Sequence, residues 1–197
     1  MNDEQLHELL LQGLETERGG MRIYEVAIRC AVNDDLREEF EKYHEQTTHH
    51  VELMEGVVRA SGLELEAESP GRSAVRKIGE ALVGAMELVL EAGPPEAAQL
   101  VAAECVTLGE TKDHLNWELI GELLTRVHGE EGKALREAHG EVEEEEDEHL
   151  YHSTGWGREL WLESLGVPAV LPPPEERKDV KTEIGAARAK QQRDQMT

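Results

Sequence analysis

Glu146 and His149 stand three residues apart in the run from Glu143 to His152. They interrupt a helical pattern whose apolar positions are Leu135, Ala138, Val142, Trp156 and Leu160. Carried across the gap, the three-and-four spacing lands on Glu146, His149 and Ser153, which turns a carboxylate and an imidazole towards a core. An ionised carboxylate on that side of a helix costs several kcal/mol unless it is paired or bound to a metal. Metal ligation is the chemistry this pair suits, provided other helices bring polar residues to the same depth.

Three other patterns do so. In the first, Leu6, Leu10, Gly13, Glu17, Gly20, Tyr24, Ala27 and Ala31 share a stripe, and Glu17 is its anomaly. The second reads Leu36, Phe40, Tyr43, Thr47, His50, Met54 and Val57, broken by Thr47 and His50. The fourth helix of the chain reads Leu100, Ala103, Thr107, Glu110, His114, Trp117, Gly121 and Leu124, which puts Glu110 and His114 on one face. Helix rise aligns them. With a turn at about residue 33, Glu17 lies about 16 residues before it and His50 about 17 after. With a turn at about residue 131, His114 lies about 17 before, and Glu146 and His149 about 15 and 18 after. Three carboxylates (Glu17, Glu110, Glu146) and three imidazoles (His50, His114, His149) suit two divalent ions, carboxylates bridging and imidazoles terminal. Tyr24 and Tyr43 lie a turn or two away and read as core neighbours able to hydrogen-bond ligands.

The elements that position these residues are all helical by pattern: 3–31, then a second helix to 60, 73–92, 95–128, and a long helix to 165. Asn33-Asp34-Asp35 breaks the first from the second, Asp35 and Glu38 having capping-box spacing. Acidic, Pro- and Gly-containing residues 64–72 form a linker. Val167 to Pro174 reads as extended, its Pro172-Pro173-Pro174 run in polyproline II form. The charged tail from Glu175 to Thr197 reads as packing on a partner or neighbouring subunit.

With 20 basic and 43 acidic residues among 197, the net charge of −23 disfavours nucleic acid and anionic membranes as partners and attracts cations. Cys30 and Cys105 have no CxxC spacing and sit in apolar helical settings, as reduced core thiols do. No stretch has the ~18 apolar residues of a membrane span, and the first residues lack the basic-then-apolar order of a leader. A cytoplasmic protein is expected.

The inward Glu17, the long connection between the second and fourth helices, and Glu146-x-x-His149 together resemble the ferritin-like superfamily. The likeness is to the rubrerythrin diiron domain and the small bacterial stress-associated proteins. It covers residues 1–166, leaving 167–197 as a proline-rich stretch and tail. It implies an all-α fold, an antiparallel four-helix bundle with a crossover helix. It also implies ligand roles for Glu17, His50, Glu110, Glu146 and His149, two iron or manganese ions, and Fe(II) oxidation or peroxide consumption with dioxygen or peroxide as partner. Thr47 stands where the family has a second-helix glutamate, and His114 is an additional inward imidazole that fills the ligand count.

Two other readings compete. His50, His114 and His149 alone would form a mononuclear zinc or nickel site, resembling the three-histidine damage-inducible bundles. A metal-free interaction protein would instead pair its inward glutamates with Arg22, Arg29 or Arg158. A homodimer is compatible with the sequence without being demanded by it.

Overall fold

A computed structural model describes residues 2–196, and every regular element among them is a helix. The elements are α1 (Asp3–Cys30), α2 (Asp34–Ala60), α3 (Pro70–Ala92), α4 (Pro95–Leu123), α5 (Gly129–Ser164), α6 (Pro174–Arg177) and α7 (Glu183–Gln192), with a final 3-10 turn at Arg193–Gln195. No helix among the described residues is long and apolar enough to cross a membrane.

Short polar side chains set the helix starts. The side chains of Asn2, Asn33 and Ser69 accept hydrogen bonds from the amides of Gln5, Leu36 and Arg72, satisfying donors that the first turn leaves unpaired. The cap of α2 is thus Asn33, not the expected Asp35, because the helix already begins at Asp34. Ser69 with Pro70 starts α3 before the expected residue 73. α4 ends at Leu123, short of 128, and Gly129 opens α5 with a φ of 71° that suits glycine.

α1 packs against α2 and α4, and α5 packs against the same two. The pairings run antiparallel. Along α1 and α2, Gly13 faces Met54, Glu17 faces His50, Gly20 faces Thr47 and Tyr24 faces Tyr43. Along α4 and α5, Glu110 faces His149 and Gly121 faces His139. α3 carries the chain between the two hairpins and lies on α1 and α4.

The apolar core is divided in two. One cluster includes Tyr24, Phe40, Tyr43, Val106 and Trp156, and the other Leu14, Met54, Trp117, Ile120 and Val142. On each of the four long helices the gap between the clusters is filled by buried polar side chains: Glu17, then Thr47 and His50, then Glu110 and Asp113, then Glu146 and His149. Such a layer is expensive to bury unless something pairs it.

The C-terminal segment folds back on the chain's own α5. Glu159 accepts from the Val170 amide at 2.9 Å and from Arg193 Nε at 2.8 Å. Arg158 donates to both carboxylate oxygens of Glu175, at 2.9 and 2.7 Å. Val170, Val180 and Ala189 are buried by this docking. The proline run is not a uniform polyproline segment: the Leu171–Pro172 peptide bond is cis, and Pro174 already begins α6. Both cysteines are free and buried.

Candidate metal centre

Two buried groups of potential ligands meet in the polar layer, Glu17–His50–Glu146 and Glu110–Glu146–His149, and in each the ligand atoms lie within 4.8 Å of one another. Glu146 belongs to both. Its Oε1 lies 3.0 Å from His50 Nδ1 and 3.5 Å from His149 Nδ1. Glu17 Oε2 is 3.8 Å from His50 Nδ1, and Glu110 Oε2 is 3.6 Å from His149 Nδ1. Five of the six residues singled out by spacing are therefore brought together.

The outer contacts orient the inner atoms. His50 Nε2 lies 2.8 Å from Glu145 Oε2 and His149 Nε2 lies 3.0 Å from Gln46 Oε1. Both partners are acceptors, so each Nε2 carries a proton and donates, and each Nδ1 is the ring nitrogen that faces inward. Trp117 Nε1 donates to Glu17 Oε1 at 2.7 Å, and the Tyr24 hydroxyl donates to Glu110 Oε1 at 2.7 Å. One oxygen of each glutamate is thus held from outside while the other faces the centre. Glu17 Oε2, Glu110 Oε2, Glu146 Oε2 and the Nδ1 atoms of His50 and His149 are all buried without a hydrogen-bond partner. The 3.0 Å approach of His50 Nδ1 to Glu146 lacks the alignment of a hydrogen bond. Native interiors rarely leave so many polar atoms unmatched in one place.

Electrostatics agree. Burial, with Asp113 and Glu146 nearby, pushes the Glu17 carboxyl well above its ordinary range. Burial with Glu146 and Glu110 does the same to Asp113. Burial alone would raise Glu146, yet the imidazoles of His149 and His50 outweigh it and hold its pKa down. Burial alone would lower His149, but Glu110 and Glu146 raise it to about 10. Protons occupy the places that cations suit.

His114 is not part of this arrangement. Its Nε2 lies 2.8 Å from Asp147 Oδ1, and its side chain is 25% exposed. It lines a polar groove between α4 and α5 together with Glu118, His139, Glu143 and Asp147, at the inner end of which lies Glu146. The residue that α4 turns inward is its neighbour Asp113, 4% exposed with Oδ1 unpaired. The signal for Asp113 was present in the seven-residue series Val106, Asp113, Ile120, all three of which are buried. The series Thr107, His114, Gly121 chosen from the sequence lies one residue round the helix.

A third group, Glu39–Glu148–His152, lies towards the α6 end. There the charges already have partners: His152 Nδ1 is 3.0 Å from Glu39 and 2.9 Å from the Tyr43 hydroxyl, and Lys42 contacts Glu148. Tyr43 in turn packs on His149, ring centroids 4.1 Å apart. His152 thereby helps fix the tyrosine that backs a ligand candidate.

Of the arginines named for a metal-free core, Arg158 and Arg22 meet other carboxylates. Arg158 pairs with Glu159 and Glu175, and Arg22 approaches Glu15 at 3.9 Å. Among the described residues no lysine or arginine forms an ion pair with Glu17, Glu110 or Glu146. These buried glutamate and histidine groups could hold a metal ion. No family model, no curated protein and no solved structure matches the chain.

Proposed function

We propose that the chain is a dinuclear metalloprotein with a ferritin-like, antiparallel four-helix arrangement of α1, α2, α4 and α5. The centre holds two iron or manganese ions and serves Fe(II) oxidation by dioxygen or peroxide. The observation that carries this reading is the sharing of Glu146 by two ligand groups whose inward atoms are unpaired. Charge supports the count. Four buried carboxylates (Glu17, Glu110, Asp113, Glu146) balance two divalent cations when both imidazoles are neutral.

In this reading Glu146 would serve both ions, Glu17 with His50 would hold one, and Glu110 with His149 would hold the other. Asp113 takes the place in the ligand count first given to His114, and the three-histidine alternative loses its third imidazole to Asp147. Two ferrous ions held there would supply the two electrons that, with two protons, reduce dioxygen to hydrogen peroxide. Burial of the centre between two apolar clusters keeps bulk water away and strengthens every charge interaction inside it. Loading displaces the protons on His149, Glu17 and Asp113, so uptake strengthens as pH rises.

Elemental analysis of protein produced with added iron or manganese, beside Glu146→Ala/His149→Ala, tests the site. Two ions per chain, lost in the variant, are expected. One zinc ion per chain would leave a redox-inert centre, and no metal after reconstitution would overturn the proposal. Fe(II) oxidation no faster than that of free iron would remove the activity even if metal binds.

A further inference from the structure

A narrow crevice between α1, α3 and α4 runs to the carboxylates of Glu110 and Asp113 from the side opposite the polar groove. Its walls are Gly19, Ile23, Val75, Gly79, Leu82 and Gly109, and its free volume is about 30 Å³, room for one or two molecules of water size. Glu15, Thr16 and Lys112 also border it; Glu15 is held by Arg72 and Arg76, Thr16 accepts from Asn116, and Lys112 donates one of its three N–H groups to Asn116. At the inner end, Asp113 Oδ1 and Glu110 Oε2 are buried and unpaired.

Gly19 is the informative wall residue. Glycine inside a long helix is less favourable than alanine, and its neighbours give a packing reason for their small size. A Cβ at Gly20 would lie 3.2 Å from Thr47 Cγ2 and one at Gly109 3.2 Å from Ile23 Cδ1, whereas one at Gly79 would make only an ordinary 3.6 Å contact with the Gly19 backbone. A Cβ at Gly19 would meet nothing within 4 Å. Gly19 is buried, yet a side chain there would project into the open crevice and not into a neighbour.

We infer that this crevice is the passage by which dioxygen reaches the metal centre, an inference that rests on the function proposed above. Cations have the acidic α4–α5 groove, where Glu118, Glu143 and Asp147 favour positive charge. The glycine crevice offers a solute almost no hydrogen bond along its length, which penalises ions and peroxide and leaves an apolar diatomic unaffected. The centre is thereby served from two faces, each matched to one reactant.

The test uses the full-length protein without metal, under several bar of dioxygen, with methyl groups observed by NMR. Paramagnetic relaxation at the Ile23 and Val75 methyls is expected to exceed that at Leu88, which is 68% exposed. Gly19→Ala should reduce the excess and raise the melting temperature, while Gly19→Leu should abolish the excess. Relaxation at Ile23 no greater than at Leu88, or an excess unchanged in Gly19→Leu, would overturn the passage whatever the metal content. In iron-loaded protein Gly19→Leu should slow oxidation by dioxygen at least tenfold, with oxidation by peroxide and the bound iron unchanged. Equal slowing with both oxidants would also overturn it. Wild-type protein that admits dioxygen but binds no metal would keep the passage and remove the proposed function.

Discussion

Glu15 and Glu17 are two residues apart on α1 and both are buried, yet they meet opposite surroundings. Glu15 turns towards α3, where Arg72 Nε lies 2.9 Å and Arg76 Nε 3.0 Å from its oxygens. Burial would raise its carboxyl, but Arg76 and Arg72 more than offset that and hold it below the ordinary range. Glu17 turns towards α2, α4 and α5, where it finds carboxylates and imidazoles and, among the described residues, forms no ion pair with an arginine or lysine, and it is raised. A buried carboxylate built for stability comes with its counter-charge from the same chain. One that lacks it marks a place for a counter-charge from outside. The difference between the two glutamates separates architecture from function.

The largest effect should come from breaking the paired side. Arg72 is fully buried and also donates to the Leu65 and Ala67 carbonyls, at 2.6 and 2.8 Å, so it ties the α2–α3 linker to α1. Arg72→Met leaves Glu15 without its one fully buried partner and leaves the linker carbonyls unpaired, and about 3–5 kcal/mol of unfolding free energy should be lost in a urea titration. Glu17→Gln in metal-free protein should lose nothing and should stabilise, because Trp117 can still donate to the amide oxygen while the cost of protonating a carboxyl whose folded pKa is raised disappears. Arg72→Met as mild as Glu17→Gln would erase the distinction.

Metal sharpens the contrast next. A divalent ion at a hundred times its Kd should stabilise the wild type by about 2.7 kcal/mol, roughly 5–10 °C in melting temperature for a chain of this size. Glu15→Gln should lower the starting stability and keep the increment. Glu146→Ala/His149→Ala should abolish it.

Much of this was legible because antiparallel helices joined by short turns share one rise per residue. Glu17 and His50 were matched in depth from their distances to the turn, and they lie across from each other. Glu146 and His149 followed from spacing alone. The slip on α4 has an identifiable cause. Ala103, Glu110 and Trp117 fix one edge of its buried face, and the other edge lies either three or four residues on from each. A histidine on the four-residue side was taken as a ligand, although Val106 and Ile120 on the three-residue side are apolar and bury with Asp113. α4 hides this choice because Leu108, Leu115 and Leu119 make its outer face apolar too. The docking of the tail was not legible, since it depends on Arg158 and Arg193 finding Glu175 and Glu159 across long loops.

That slip gives a third prediction, between adjacent residues. Asp113→Asn should weaken metal binding about tenfold or more, measured by competition with a chromophoric chelator. His114→Ala should change it less than threefold, because its partner is Asp147 at the groove. The reverse ranking would return α4 to the face first read from the sequence.

The smallest effect concerns Glu175 and Glu176, which repeat the contrast of Glu15 and Glu17 at the docked tail. Glu175 is held by two hydrogen bonds from Arg158. Glu176 accepts from Trp156 Nε1 but forms no ion pair among the described residues; burial first, and then Glu39, outweigh that hydrogen bond and the charge of His152 and raise it from an ordinary 4.5 to about 7. A carboxyl whose folded pKa lies above its unfolded value favours the folded state most when protonated. Its contribution is therefore full below about pH 4.5 and fades as the pH climbs through about 7. The tail should grip α5 more tightly at pH 5 than at pH 8, and Trp156 fluorescence together with protease resistance of residues 174–192 should follow that change. Glu176→Gln keeps an oxygen for the indole N–H and removes the titration, so its tail should be as resistant at pH 8 as at pH 5. A wild-type tail indifferent to pH over this range would mean that Glu176 is solvated well enough to behave as an ordinary carboxylate. The unpaired member of the second couple would then carry no strain of its own, and the polar layer would be the only place where burial without a counter-charge has a consequence.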